Sequence, residues 1–206
     1  MKFQTDQEKF WAGQFGNAYI ERNKSEQYLS SNLNLFSRIF SHKDRPNSLI
    51  EFGTNVGYNL KAIQQLFPNI DLFGIELNDK AALEVKKLIG EKKVFYGSIF
   101  DFEISKQFDV SLINKVLIHI NPEMLPLVYE KLYQSSKKYI VICEYYNPTP
   151  VTVNYRGHLD RLFKRDFAGE MLDKYPDLKL VHYGFCYNRD KNFPQDDITW
   201  FLIEKV

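Results

Sequence analysis

SLIEFGTNVGYNLKAIQQLF, residues 48–67, reads as a strand, a tight turn and a helix in succession. Ser48 to Phe52 is a short, mainly apolar run, and from Tyr58 onward Leu60, Ile63, Leu66 and Phe67 recur at helical spacing. The turn between them, Gly53-Thr54-Asn55-Val56-Gly57, has two glycines four apart. A backbone without Cβ bends sharply there and lets a ligand approach main-chain N–H groups. Every α/β protein needs such turns, so the glycines alone leave a bare turn and a ligand site both open. The turn lacks the Gly-Lys-Ser/Thr of a phosphate loop and the G-x-G-x-x-G of a dinucleotide site. Glu51, just before it, would repel a pyrophosphate and attract an ammonium, so the expected ligand is not a phosphate.

A second signal comes one strand later. Ile70 to Ile75 reads as a strand with Glu76 at its end, the separation from the glycine turn at which nucleotide-binding α/β folds place an acid on the ribose. A carboxylate there accepts bonds from both ribose hydroxyls, each worth roughly 1.5–3 kcal/mol. A solvated glutamate at a strand end is the plainer alternative. Together the two signals point to a nucleoside.

With E-F-G-T-N-V-G, the Glu after the second strand and the later F-D-V-S-L-I-N-K-V-L-I-H-I on the page, the chain resembles class I S-adenosylmethionine-dependent methyltransferases. The first motif of that fold is E/D-x-G-x-G-x-G. This chain keeps Glu51, Gly53 and Gly57 and has Asn55 at the middle glycine, a residue that tolerates left-handed dihedrals. Over nearly its whole length, through QEKFWAGQFGNAYIERN, EYYNPTPV, YRGHLDRLFKRDFAG and FPQDDITWFLIEK, it is similar to the methylases associated with pseudaminic acid biosynthesis. The resemblance implies S-adenosyl-L-methionine as cofactor, S-adenosyl-L-homocysteine as product and a small, acidic, sugar-type acceptor.

Composition sets bounds. The 206 residues, 44% hydrophobic and 16% aromatic, suit one domain over residues 1–206, with 1–45 as an N-terminal cap and first helix and 46–206 as an α/β core. A net charge of +1 supplies no field for nucleic acid or membrane, so neither is an expected partner. No run has the length and apolarity of a signal peptide or membrane span, so a cytoplasmic location is expected. Cys143 and Cys186 lie in apolar runs without metal spacing; they read as buried thiols, and no metal is expected. The oligomeric state is left open.

Along the chain, Phe10, Trp11, Phe15, Ala18 and Tyr19 recur at helical steps interrupted by Gly13 and Gly16, which reads as a segmented cap. Tyr19, Arg22 and Asn23 are candidates for the methionine carboxylate, Arg22 because a guanidinium pairs with it in bidentate fashion. After the third strand, Lys93–Tyr96, the resemblance puts the adenine contact at Ser98 and Ile99, with Asp101 as the alternative acid. Phe108 to Ile113 reads as a strand of the sheet's middle, and the reacting methyl is expected at its C-terminal end, near Asn114. His119 is a candidate base, because its ordinary pKa of about 6.5 suits proton removal at neutral pH. A histidine that merely orients a turn is the plainer reading. Glu144, leaving the fifth strand, is the alternative base, and Tyr145 and Tyr146 beside it are candidates to orient a polyhydroxylated substrate. Arg156, His158, Asp160, Arg161, Lys164, Arg165 and Asp166 form the densest charge run; it reads either as a solvated helix face or, through its cations Arg156, His158, Arg161, Lys164 and Arg165, as a site for an acidic substrate. Asp166 is expected to cap a helix over Phe167–Tyr175. Asp196, in the link between two C-terminal strands, is a candidate for substrate hydroxyls or a turn cap.

The fold expected is α/β: a Rossmann-like, seven-stranded, mainly parallel sheet with helices on both faces and a small N-terminal helical cap. A non-catalytic nucleoside-binding or scaffold protein of a glycan pathway is the rival function. An NAD-dependent oxidoreductase fits less well, since it wants three glycines and an uncharged residue before the turn.

Overall fold

Alternation along the strands sets the layering. The computed structural model describes residues 2–22, 26–41 and 43–206. The chain opens with three helices, α1 (Asp6–Ala12), α2 (Gln14–Arg22) and α3 (Glu26–Phe40). It then alternates β1 (Ser48–Phe52), α4 (Tyr58–Leu66), β2 (Asp71–Glu76), α5 (Asp79–Ile89), β3 (Val94–Tyr96), β4 (Phe108–Asn114), α6 (Leu125–Ser135) and β5 (Ser136–Glu144). A hairpin of β6 (Val151–Tyr155) and β7 (His158–Lys164), α7 (Phe167–Lys174), β8 (Leu178–Phe185) and β9 (Thr199–Lys205) complete it.

The seven-stranded sheet has the order β3-β2-β1-β4-β5-β9-β8. Pairings from β3 to β5 are parallel, and β9 joins antiparallel to both β5 and β8. Leu49, Leu72, Val110, Val141 and Leu202 face an apolar layer with α3, α4 and α5; Ile50, Ile75, Ile113, Ile140 and Ile203 face the layer of α6 and α7. Successive strand residues point to opposite faces, so both faces of the sheet are covered. The mainly parallel sheet with helices on both faces and short N-terminal helices is the architecture read from the sequence.

The cap is segmented as its glycines imply: α1 ends at Gly13, and Thr5 begins it with a capping box, its hydroxyl accepting from Glu8 N–H while the Glu8 carboxylate accepts from Thr5 N–H. Asp166 caps α7 by accepting from Gly169 N–H at 2.8 Å. The charge run is a correction. Residues 158–164 are strand β7, not a helix face, paired with β6 through Tyr155↔His158. Arg156 at φ 50° and Gly157 at φ 84° make the two-residue turn that joins them. Cys143 and Cys186 are free and buried. Among the described residues no helix is long and apolar enough to cross a membrane.

Candidate functional site

β1 and β4 are neighbours in the sheet, but their connections leave toward opposite layers, and the crevice so opened lies at their C-terminal ends. A cavity of about 210 Å³ occupies it, walled by the glycine turn, the ends of β2, β3 and β4, and the cap residues Trp11, Gly16, Tyr19 and Ile20.

The turn is built for close approach. Gly53 and Gly57 have φ of 78° and 84°, and Asn55 is also left-handed at 47°, which accounts for asparagine at the middle position. A Cβ on Gly53 would lie 2.6 Å from Val116 Cγ2, so only glycine lets the turn pack against the segment after β4. Gly57 opens α4 without a side-chain cap.

Glu76 ties this turn to β2. Its Oε2 accepts from Asn55 N–H at 2.6 Å and its Oε1 from Asn78 N–H at 2.7 Å, while the residue lines the cavity. Burial pushes the carboxyl's pKa up, against the pull of those backbone donors. Each oxygen keeps lone-pair capacity for a further donor, such as a ribose hydroxyl. On the β3 side Ser98 and Ile99 line the cavity, with the Ser98 hydroxyl accepting from Phe100 N–H at 3.0 Å. Asp101 is not part of the cavity wall; its carboxylate accepts from the Gln4 amide at 2.8 Å.

Glu51 does not reach the cavity. It is fully buried, and its Oε1 accepts from Asn59 Nδ2 at 2.6 Å. Asn59 Oδ1 in turn accepts from Asn32 at 2.9 Å and from Asn114 at 3.3 Å, so the carboxyl acts on the site only through an amide relay. Burial raises its pKa to about 8. Asn114 sits where β4 ends, lines the cavity and has a buried Oδ1 without a hydrogen-bond partner; Asn55 Oδ1 is in the same condition. Unsatisfied buried acceptors cost roughly 1–3 kcal/mol each, and a bound donor relieves that cost. Tyr19 also lines the cavity. The side chain of Arg22 and all of Asn23 lie outside the described residues.

His119 occupies a single 3-10 turn, Leu117–His119, and lines the cavity, 4.5 Å from the Trp11 ring and 5.2 Å from Tyr155, centroid to centroid. Its Nδ1 is 2.6 Å from the Arg161 carbonyl oxygen, which only accepts, so Nδ1 carries the proton and Nε2 the lone pair. Burial brings its pKa down to about 4, helped by Lys115, so the imidazole is neutral at pH 7. A pKa of about 6.5 for it is thus corrected: the ring is a hydrogen-bond acceptor and a weak base.

Glu144, the alternative base, is placed away from the cavity. It is buried and absent from the cavity wall, and its Oε1 accepts from Val116 N–H at 2.9 Å and Leu117 N–H at 2.8 Å. Burial raises its pKa to about 8 against those donors. It anchors the turn that carries His119. Glu144→Gln, whose amide oxygen still accepts both bonds, is expected to keep turnover and melting temperature near wild type. Glu144→Ala orphans two buried N–H groups and is expected to cost about 2–4 kcal/mol in chemical denaturation. Loss of turnover in the stable Gln variant would return the base role to Glu144.

The remaining substrate candidates do not converge on the cavity. Tyr145 underlies Lys164, Tyr146 is half-exposed against Phe201, and Arg156 lies over Tyr155 in the hairpin turn. Arg165 is ion-paired with Glu170, His158 packs on Phe10 at 4.9 Å, and Arg161 lies over the same ring. The run therefore builds the hairpin and fastens it to the cap, where Gln7 Nε2 also donates to Asp160 O at 3.0 Å. Asp196 pairs with Lys115, Nζ to Oδ2 2.7 Å, and Asp197 accepts from Asn188. Sequence reasoning passed over Lys115, Asn59 and Trp11. Lys115 and Asn59 lie inside the quoted stretches 108–120 and 48–67 with no role read for them, and Trp11 reads only as part of a stripe.

The chain has the fold of S-adenosylmethionine-dependent methyltransferases. Magnesium protoporphyrin IX methyltransferase ChlM from Synechocystis PCC 6803, solved with bound SAM, superposes with a TM-score of 0.69 at 10% identity, over 100% of both chains. The 1,6-didemethyltoxoflavin-N1-methyltransferase of Burkholderia thailandensis, solved with S-adenosylhomocysteine and its acceptor, gives 0.71 at 11% identity, over 97% of this chain and 87% of that one. Mitomycin 7-O-methyltransferase MmcR gives 0.70 at 12% identity over 98% of this chain, which spans 61% of MmcR. No family model and no curated protein sequence matches the chain.

Proposed function

We propose that the chain, acting as one unit over residues 1–206, is an S-adenosylmethionine-dependent methyltransferase of a small, polar, acidic metabolite. The observation that carries this reading is Glu76. Its carboxylate holds a left-handed glycine turn and faces the same cavity as Ser98 and Asn114, a set of polar groups that suits a nucleoside joined to an amino acid. S-adenosylmethionine, when bound, supplies an electrophilic methyl on a sulfonium. Glu76 would accept the ribose hydroxyls, Ser98 and Ile99 border the base, and the unpaired Asn114 and Asn55 carbonyls accept from the amino-acid end. The cap closes the cavity with Trp11 and Tyr19, and neutral His119 accepts from an acceptor hydroxyl and orients it. Holding reactants in line contributes roughly 7–11 kcal/mol, more than a positioned base supplies.

The sugar-acid acceptor of a pseudaminic acid pathway rests on the sequence resemblance. The test is a thermal-shift titration with S-adenosylhomocysteine and, separately, NAD⁺. A ligand at 100 times its dissociation constant adds about 2.7 kcal/mol of stability. Stabilisation by S-adenosylhomocysteine alone is the expected result. No shift with either would favour a binding or scaffold protein.

A further inference from the structure

Two hollows of the molecule meet at one ion pair. Among the described residues that wall the cavity, Lys115 is the single ammonium, one position beyond Asn114 at the end of β4. Its backbone is left-handed, φ 57°, which turns the chain out of the strand as soon as β4 ends. Asp196, its partner at 2.7 Å, lines a second hollow of about 200 Å³ together with Gln27, Asn188, Pro194 and Gln195, and Tyr28 borders both spaces. The Lys115–Asp196 pair is therefore a partition between the two.

The two halves of the pair are unequally committed. The Lys115 side chain is 17% exposed and Asp196 43%, so the carboxylate has water as an alternative partner and the ammonium has little. Burial works against the ammonium, but the Asp196 carboxylate bonded to it opposes that, and it stays charged. Of its three N–H donors the described bond to Asp196 engages one. The Tyr28 ring lies 5.8 Å from Nζ, and the unpartnered, buried Oδ1 of Asn114 is on the neighbouring residue. Amide side chains in the second hollow match hydroxyl groups, and the Tyr28 ring matches an apolar C–H face.

We propose that Lys115 is the specificity residue that reads a carboxylate on the methyl acceptor, which enters through the second hollow and replaces Asp196 on the ammonium. This rests on the methyltransferase reading above. When S-adenosylmethionine is bound, its sulfonium adds positive charge to the same cavity and favours an anionic acceptor further. Asp196 turns to solvent at small cost, since half-exposed ion pairs contribute little. The carboxylate of the cofactor's own methionine is the other source of the same chemistry, and the experiment separates the two.

The side-chain Nζ signal of Lys115 in ¹⁵N-lysine-labelled protein, assigned with Lys115→Arg, is followed during titration with sodium D-glucuronate or D-glucose at constant ionic strength. Both titrations are run with and without saturating S-adenosylhomocysteine. Glucuronate is expected to move the signal in the loaded protein, and glucose is not. Lys115→Gln is expected to weaken glucuronate binding by on the order of tenfold or more, with S-adenosylhomocysteine affinity within about twofold of wild type. A Lys115 signal that glucuronate leaves unmoved in both states overturns the proposal. So does a glucuronate response confined to the unloaded protein, with S-adenosylhomocysteine affinity at least tenfold lower in Lys115→Gln, because the carboxylate read would then be the cofactor's. Failure of wild type to bind S-adenosylhomocysteine would instead strike the methyltransferase reading, and the glucuronate response of the unloaded protein would still decide the role of Lys115.

Discussion

Replacing Glu76 by alanine is expected to lower the affinity for S-adenosylhomocysteine by about a hundredfold or more in isothermal titration. Two losses add. A carboxylate that accepts from two ribose hydroxyls contributes roughly 1.5–3 kcal/mol for each charge-assisted bond. The same carboxylate also holds the Asn55 and Asn78 N–H groups at 2.6 and 2.7 Å, so its removal frees the left-handed turn that shapes the cavity. Glu76→Gln separates these contributions. The amide offers one oxygen and one NH₂, so either Asn55 or Asn78 N–H must face a donor, and an intermediate loss is expected. Wild-type affinity in Glu76→Ala would mean that the nucleoside does not lie against β2.

The parallel core was legible in the sequence because its signals are local. The run at 48–52, the glycine turn and the stripe of Leu60 and Ile63 each occupy a few residues, and burial of both faces follows from their apolar positions. The place of Glu76 beside the turn was legible for the same reason: it follows from the distance along the chain between the turn and the end of β2. The β6–β7 hairpin was not. Its alternation is masked by charge at Arg156, His158, Asp160, Arg161, Lys164 and Arg165, and only the Arg156-Gly157 turn signals it. Glu144 looked like a base because it leaves a central strand on the ligand-facing edge. What turns it away is the pair of backbone N–H groups at Val116 and Leu117, about 28 positions earlier, that donate to its carboxylate and that no local pattern reports. Lys115 illustrates the same limit, since its partner Asp196 comes from the far end of the chain.

His119→Ala is expected to reduce turnover by roughly 10²–10⁴-fold while leaving S-adenosylhomocysteine affinity within about twofold, because the proposed function gives the ring to the methyl acceptor and not to the cofactor. The Arg161 carbonyl fixes the proton on Nδ1, so the lone pair on Nε2 is left to accept from a hydroxyl. With a folded pKa of about 4, the ring is already neutral throughout the neutral range, and turnover should show no ionisation of His119 above pH 6. An inflection near 6.5 that disappears in His119→Ala would contradict this environment. Stability carries the matching signature. A histidine whose pKa falls from about 6.5 unfolded to about 4 folded binds fewer protons in the native state. Its contribution is complete above pH 6.5 and is lost as pH falls toward 4, by at most about 3 kcal/mol. Glu51 and Glu144, raised to about 8, act in the opposite sense: their contribution is present below 4.5 and lost as pH rises toward 8. Denaturation of wild type and His119→Ala across pH 4–8 isolates the histidine, since the carboxyls are common to both. The difference between the two proteins should shrink toward acid. A difference independent of pH would show that the imidazole contributes packing alone, and a turnover as high as wild type would show that the ring does not orient the acceptor.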